Sequence, residues 1–313
     1  METRTVVVAV GGNSLITDPL HISPTDQFVA AKQTMAHVAD MVAQGWNVVI
    51  AHGNGPQVGF MLRRAEVAAK ELPTIPLDVL GADTQGATGY MFVRALHEEL
   101  TARGVDRNAV AVVTQTVVDA ADPAFDKPSK PIGSFLDKAT ADQRIAEDGW
   151  DMVEDSGRGW RRVVASPKPK SIVEIDAIRT LVDSGFLVVA GGGGGIPVID
   201  EGNAYRGIEA VIDKDHASAL IANELGADVL LISTAVDAVA VRFNTPDQEW
   251  LGEITADQAR EYLAAGEFGA GSMAPKVEAA VDFLSRGGAK VIITSPARMP
   301  EALQGRAGTT IVP

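Results

Sequence analysis

Residues 186–200 read FLVVAGGGGGIPVID, an apolar run that gives way to five consecutive glycines, Gly191 to Gly195. The Leu-Val-Val-Ala portion has the composition of a strand buried on both faces, as in a parallel sheet. Glycine loses more conformational freedom on folding than any other residue, about 0.5–1 kcal/mol relative to alanine inside a regular element. Five of them after a committed strand mark a place where the backbone turns sharply or approaches something closely.

The same grammar recurs along the chain. TVVVAVGGNS (5–14), WNVVIAHGNGPQ (46–57), AVAVVTQTVVD (109–119), GFLVVAGGGGGIP (185–197), ADVLLISTAVDAV (227–239) and AKVIITS (289–295) each place a β-branched run before glycine or a polar turn. Helix-period stretches lie between them. In 24–45, Phe28, Ala31, Met35, Val38 and Val42 recur at steps of three and four, and Gly45 closes the helix. In 275–286, Val277, Ala280, Val281 and Leu284 make one apolar face, ended by Gly287. Strands alternating with helices predict an α/β sandwich with right-handed crossovers.

Residues 120–169 depart from this pattern. They open with DPAFDKPSKPIG and close with SPKPK, both rich in proline and lysine. Between these ends the sequence predicts a short helix (139–147) and two strands around the turn Ser156-Gly157-Arg158-Gly159. This span is expected to form a small protruding subdomain inserted in the first lobe, whose lysines could reach an anion.

Lys and Arg number 27 against 41 Asp and Glu, a net charge of −14, which argues against nucleic-acid and membrane partners. No cysteine is present, so disulfides, thiolate metal sites and cysteine catalysis are excluded, and a reducing cytoplasmic setting is expected. The N-terminal apolar run is too short and glycine-broken for a signal peptide, and no run approaches the ~18 residues of a membrane span.

Three runs end in glycine clusters: Gly11-Gly12-Asn13, Gly53-Asn54-Gly55 and Gly191 to Gly195. Each alone reads equally as a tight strand-to-helix turn. In an open α/β sheet, however, ligands bind outside the carboxyl ends of the strands. Three such clusters at one edge would present backbone N–H groups to a polyphosphate. Neither G-x-x-x-x-G-K-[ST] nor a correctly spaced G-x-G-x-x-G is present.

Two lysines sit where helices are expected to begin. Lys214 lies between Asp213 and Asp215, ahead of a helix running to Leu225, and Lys276 follows Ser272, a candidate cap. A lysine in a first helical turn opposes the macrodipole at a cost of ~0.3–1 kcal/mol, which a shared anion would offset. Asp215 suits either of two tasks, orienting the Lys214 ammonium or capping the helix. His52 has no metal-ligand spacing around it, and no G-x-S-x-G elbow exists, so hydrolase and zinc chemistry have little support. Positioning plus positive charge remains, which is what phosphoryl transfer requires.

VAVGGNSL, AHGNGPQVG, DPAFDKPSKPIGSF, ASPKPKSIVE, GGGGGIPV, GIEAVIDKDHAS and GSMAPKVEAA together resemble the carbamate kinases, a branch of the amino-acid kinase family, in order from about Val6 to GTTI at 308–311. The resemblance implies a three-layer αβα sandwich around a mainly parallel sheet, a cytoplasmic homodimer, and magnesium-assisted phosphoryl transfer between ATP and carbamate, giving ADP and carbamoyl phosphate. It also implies use towards ATP synthesis in arginine-type catabolism. By the same resemblance, Gly11, Gly12, Asn13, Gly53, Asn54 and Gly55 hold carbamate and the transferring phosphoryl group. Lys130 descends from the subdomain, Lys214 bridges donor and acceptor with Asp215 holding it, and Lys276 stabilises the leaving phosphate. A lobe over 1–184 takes carbamate or carbamoyl phosphate. A lobe over 185–313 takes the nucleotide, with Gly194, Thr234, Phe243, Met273 and Lys276 near it; no metal ligand is assigned.

Two positions depart from relatives. Other amino-acid kinases carry a lysine two residues before the Gly-Gly pair, where this chain has Ala9. Many carbamate kinases read T-D-V-D where this chain has Thr234-Ala235-Val236-Asp237. The rival readings are a kinase of another small acid, a nucleotide sensor without turnover, and a dinucleotide-dependent dehydrogenase.

Overall fold

The structure is a computed structural model describing residues 4–11, 15–16, 20–155, 157–269 and 271–313. Its strands in chain order are β1 (Thr5–Val10), β2 (Asn47–His52), β3 (Ala109–Ala111), β4 (Gln115–Val118), β5 (Lys130–Leu136), β6 (Met152–Glu154), β7 (Trp160–Val164), β8 (Pro169–Ile172), β9 (Leu187–Val189), β10 (Ile196–Asp200), β11 (Tyr205–Gly207), β12 (Val229–Ser233), β13 (Ala240–Val241), β14 (Glu249–Trp250), β15 (Glu253–Thr255), β16 (Val291–Thr294) and β17 (Thr309–Val312). Its helices are α1 (Pro24–Ala43), α2 (Gly55–Ala68), α3 (Leu77–Ala102), α4 (Lys138–Asp148), α5 (Ile175–Asp183), α6 (Lys214–Leu225), α7 (Ala256–Ala264), α8 (Ala274–Ser285) and α9 (Met299–Ala302).

Eight strands form the central sheet in the order β15-β17-β16-β12-β1-β2-β9-β3. Every pairing is parallel except β16 with β17. Alternate residues of a strand face opposite sides, and here both sides are covered. Val6, Val8 and Val10 join Ala31, Met35, Val38, Phe92, Leu96 and Met299 from α1, α3 and α9. Val7 and Ala9 face the other way, towards Ile178, Ala219, Ile221, Ala259, Ala280 and Phe283 from α5, α6, α7 and α8. Two apolar layers with one sheet between them are the expected three-layer sandwich, and they explain why the strand runs are apolar at consecutive positions.

The runs over 109–119 and 185–197 are each expected to hold one strand, and each holds parts of two. Both cross from the central sheet, where β3 pairs with β9, to a second sheet ordered β11-β10-β4-β8, where β4 pairs with β10 in parallel. Gln85 of α3 staples this crossing. Its Nε2 donates to the carbonyls of Thr114 (3.0 Å) and Gly192 (2.9 Å), and its Oε1 accepts from the Thr114 amide at 2.7 Å.

The glycine run is the joint itself. Gly191, Gly193, Gly194 and Gly195 all have φ between +64° and +89°, where side chains are strained. A Cβ would stand 2.6 Å from Ile221 at Gly191, 2.4 Å from His52 at Gly192, 2.4 Å from the Ile212 carbonyl at Gly194 and 1.9 Å from Thr116 Oγ1 at Gly195. At Gly193 a Cβ would stand 2.3 Å from Asn54 Nδ2, so protein presses against all five and a side chain at any of them would meet it.

The span 120–169 holds a third, antiparallel sheet ordered β5-β7-β6, with α4 packed on it. Only two of its three strands are expected from the sequence, because Pro131 and Gly133 obscure β5; Ser156 lies outside the described residues. Its apolar underside joins the body through Val58, Leu77, Leu80, Ile132, Val164 and Val211.

Candidate active site

Strands β1, β2 and β9 are neighbours, so their carboxyl ends bring Gly11, Gly53 and Gly191 to one edge of the sheet. Gly12 and Asn13 lie outside the described residues. Beyond this edge opens a cleft of about 230 Å³. Gly53, Asn54, Gly55 and Gly193 line one side, Lys130 another, and Lys214 with Asp215 and Lys276 the floor and far wall.

Each lysine is placed by a local cause. Helix α6 begins at Lys214 because Asp213 caps it, its carboxylate accepting from the Asp215 amide at 2.9 Å. Asp215 is therefore not the cap. Its carboxylate instead receives Lys214 Nζ at 2.5 Å on one oxygen and Lys276 Nζ at 2.9 Å on the other. Lys276 lies in the first turn of α8, whose start is Met273 without a side-chain cap. Ser272 does not cap it, because the chain turns there, the amides of Ser272, Met273 and Ala274 all bonding to the Gly269 carbonyl. Lys130 opens β5 of the inserted sheet and reaches Asp213 Oδ2 at 2.7 Å. Three ammonium groups and two carboxylates thus interlock, leaving one net positive charge, and the N-termini of α2, α6 and α8 add their dipoles.

The electrostatics follow from burial. Asp215 is 2% exposed, and burial opposes its ionisation, yet the ammonium charges of Lys214 and Lys276 prevail and hold it below the usual carboxylate range. Asp213 is likewise held low, burial being outweighed by Lys130 and by its hydrogen bonds. Burial pushes Lys214 below the ordinary lysine value, with Asp215 resisting. His52 is pushed down to about 4 by burial, with help from the Lys214 charge and against its hydrogen bond to the Gly53 carbonyl. It is neutral near pH 7, packs edge-on to Phe92, and does not line the cleft.

Of the other expected residues, Asn54 lines the cleft and Gly194, Thr234, Phe243 and Met273 do not. Asn54 starts α2 and donates to Thr84 Oγ1 at 3.3 Å. Gly194 is buried against Ile212, while its neighbour Gly193 is the glycine of the run that lines the cleft. Thr234 follows β12, its amide bonded to the Thr294 carbonyl at 2.8 Å, and does not line the cleft. Phe243 is 60% exposed, between Arg242 and Asn244, which both have positive φ. Met273 packs partly against the core, and its neighbours Gly271 and Ser272 line the cleft. Ala9 is fully buried, in the core layer that it shares with Ala219 and Ile221 of α6.

Asp213 and Gln85 were not singled out by the sequence. Lys130 and Asp213 are 83 residues apart, and only the folded sheet brings them together. The one available signal was an acidic residue immediately before a helix-opening Lys-Asp pair.

This architecture, a mainly parallel sheet whose carboxyl edge gathers glycine turns, lysines and helix N-termini, is that of a phosphate-handling α/β protein. The profile of the amino acid kinase family matches residues 4–295, and the chain belongs to that family. A carbamate kinase of Thermococcus kodakarensis is 46% identical over 312 residues, spanning 99% of both chains. One from Clostridium perfringens is 48% identical over 311 residues, spanning 98% of this chain and 99% of its own. The structure of a carbamate kinase from Giardia lamblia bound to AMP-PNP superposes with a TM-score of 0.93 at 40% identity, covering 99% of each chain.

Proposed function

We propose that the chain is a carbamate kinase, transferring a phosphoryl group reversibly between ATP and carbamate to give ADP and carbamoyl phosphate. The observation that carries this reading is the convergence of Lys130, Lys214 and Lys276 with the Gly53–Gly55 turn on one cleft. Relatives of that name align over nearly the whole chain. A kinase of another small acid and a sensor without turnover are not favoured by them.

Carbamate is already an anion, so its attacking oxygen needs no general base. The barrier lies in bringing two anions together, and the cleft answers it with positive charge. In this reading Gly11, Gly12, Asn13, Gly53, Asn54 and Gly55 hold carbamate and the moving phosphoryl group. Lys214 bridges donor and acceptor oxygens, Asp215 fixes it, Lys130 covers the group from above, and Lys276 stabilises the leaving phosphate. The lobe 1–184 serves the acid and the lobe 185–313 the nucleotide, with Gly194, Thr234, Phe243 and Met273 on the nucleotide side.

Among the described residues, no group of three or more His, Cys, Asp or Glu stands ready to hold a metal, and both cleft aspartates already bind lysines. The donor set fits a magnesium ion that arrives on nucleotide phosphates. When bound there it neutralises charge on the phosphoryl oxygens.

Among the described residues no helix is long and apolar enough to cross a membrane, and a cysteine-free chain suits the cytoplasm. A homodimer is proposed as well, supported by the exposed apolar Ile22 and Val29 on the α1 side and Val79 and Tyr90 on α3. Work towards ATP in arginine-type catabolism completes the proposal.

The test is to mix the purified chain with ADP, magnesium and carbamoyl phosphate. ATP should form. No ATP there, with ADP produced from ATP and a different small acid, would move the assignment to that acid.

A further inference from the structure

The inserted sheet rests on α2 at a point where neither side has a side chain. A Cβ built on Gly59 of α2 would stand 3.3 Å from Gly133 Cα, closer than ordinary packing, and in contact with its nitrogen at 3.5 Å. Gly59 is buried in the helix, where alanine would otherwise be favoured by about 0.5–1 kcal/mol. Gly133 has φ +71° and sits where β5 shifts register against β7, between Ile132 and Leu136. That backbone alone calls for glycine at 133. Nothing in the backbone of α2 calls for one at 59.

Two further contacts fix the sheet on either side of this point. Ile132 enters the cluster with Val58, Leu80, Val164 and Val211. Lys130, two residues back on the same face of β5, reaches Asp213 at 2.7 Å. From Gly133 to Lys130 the strand rises only ~10 Å, at ~3.3 Å per residue. A shift of β5 away from α2 is therefore carried along a short, paired strand to the ammonium group.

We propose that the Gly59–Gly133 contact is a seat that sets how far Lys130 reaches into the cleft, making Gly59 a positioning residue for phosphoryl transfer. The inference rests on the reading of Lys130 given above. A methyl group at 59 wedges the strand outward; a valine wedges it further.

A double-mutant cycle between Gly59→Ala and Lys130→Ala tests this, with kcat, KM and thermal melting measured for each enzyme, and Gly86→Ala as a control for alanine in an exposed helix position with nothing within 4 Å. Misplacement by ~1 Å costs up to ~10²-fold and the methyl demands a few tenths of that, so Gly59→Ala should lower kcat about fourfold while KM for ADP changes little. In the Lys130→Ala background the same substitution should change kcat less than about twofold, because its target is gone. Gly59→Val should be slower than Gly59→Ala; should it fail to fold, the alanine cycle decides alone. If Lys130→Ala is costly but the two effects multiply, or if Gly59→Ala is as fast as the parent, the seat is refuted while the lysine assignment stands. A Lys130→Ala enzyme as fast as the parent overturns that assignment and the seat with it.

Discussion

Asp215 has two cations and almost no water, and it decides how Lys214 behaves. In the proposed mechanism Lys214 is charged when it meets phosphate, yet burial works against that charge. The alkaline limb of kcat/KM should therefore fall below the ~10.4 of an ordinary lysine. The sign is fixed: raising pH removes the proton, the cation and then the rate. Asp215→Asn withdraws the charge that resists burial, so the limb should move to lower pH still; a profile flat past pH 10 in both enzymes would contradict this. Lys214→Ala should cost about 10²–10³ in kcat, as the loss of one oxyanion donor does, and should lower melting less than Asp215→Asn, because Lys276 still pairs with Asp215. An unaltered kcat would remove Lys214 from the chemistry.

The same carboxylate bears on stability. Breaking a buried ion pair by removing one partner costs roughly 3–5 kcal/mol, so Asp215→Asn should melt well below the parent at pH 7. Because Asp215 ionises below the usual carboxylate range, its contribution is complete above the unfolded value of ~4 and lost as pH falls through the folded one. Melting curves of parent and variant should converge in acid. Curves that stay parallel down to acid unfolding would assign the loss to packing instead.

At the scale of elements, the glycine joint makes the sharpest demand. Gly195→Ala meets both a φ of +88° and Thr116 Oγ1 at 1.9 Å, and should destabilise by more than the ~1 kcal/mol of a left-handed alanine. Gly86→Ala on α3 meets nothing and should stabilise by about 0.4–1 kcal/mol. Chemical denaturation of the two variants measures both, and equal effects would show that the joint is not tight. The strands β1, β2, β12 and β16 were legible because burial on two faces imposes continuous Val, Ile and Leu. The crossings after β3 and β9 were not, since both halves of each run are apolar and periodicity does not change when a strand changes sheet. Helix α3 was hidden by Gly81, Gly86 and Gly89, the last so close to Ala111 that a Cβ would lie 2.7 Å away. Lys214 and Lys276 were legible from the resemblance and from their place at helix starts, and Lys130 from the resemblance and its proline-lysine stretch; the carboxylate that holds Lys130 was not, because it belongs to a distant segment.

For the whole molecule, a net charge of −14 surrounds a cleft whose own balance is positive by one. The inserted sheet and the body are tied across that cleft by Lys130 and Asp213. An incoming anion must outbid a carboxylate already in place for the Lys130 ammonium. Clustered phosphoryl oxygens, which carry several charges, should do so more readily than a single chloride ion. The tie is therefore expected to act as a filter on charge density, favouring multiply charged anions over single-charged ones. Asp213→Asn retains a helix cap, asparagine capping about as well as aspartate, and removes only the competitor. It should be inhibited by lower chloride concentrations than the parent in a dose-dependent titration, and equal sensitivity of the two enzymes would contradict the filter.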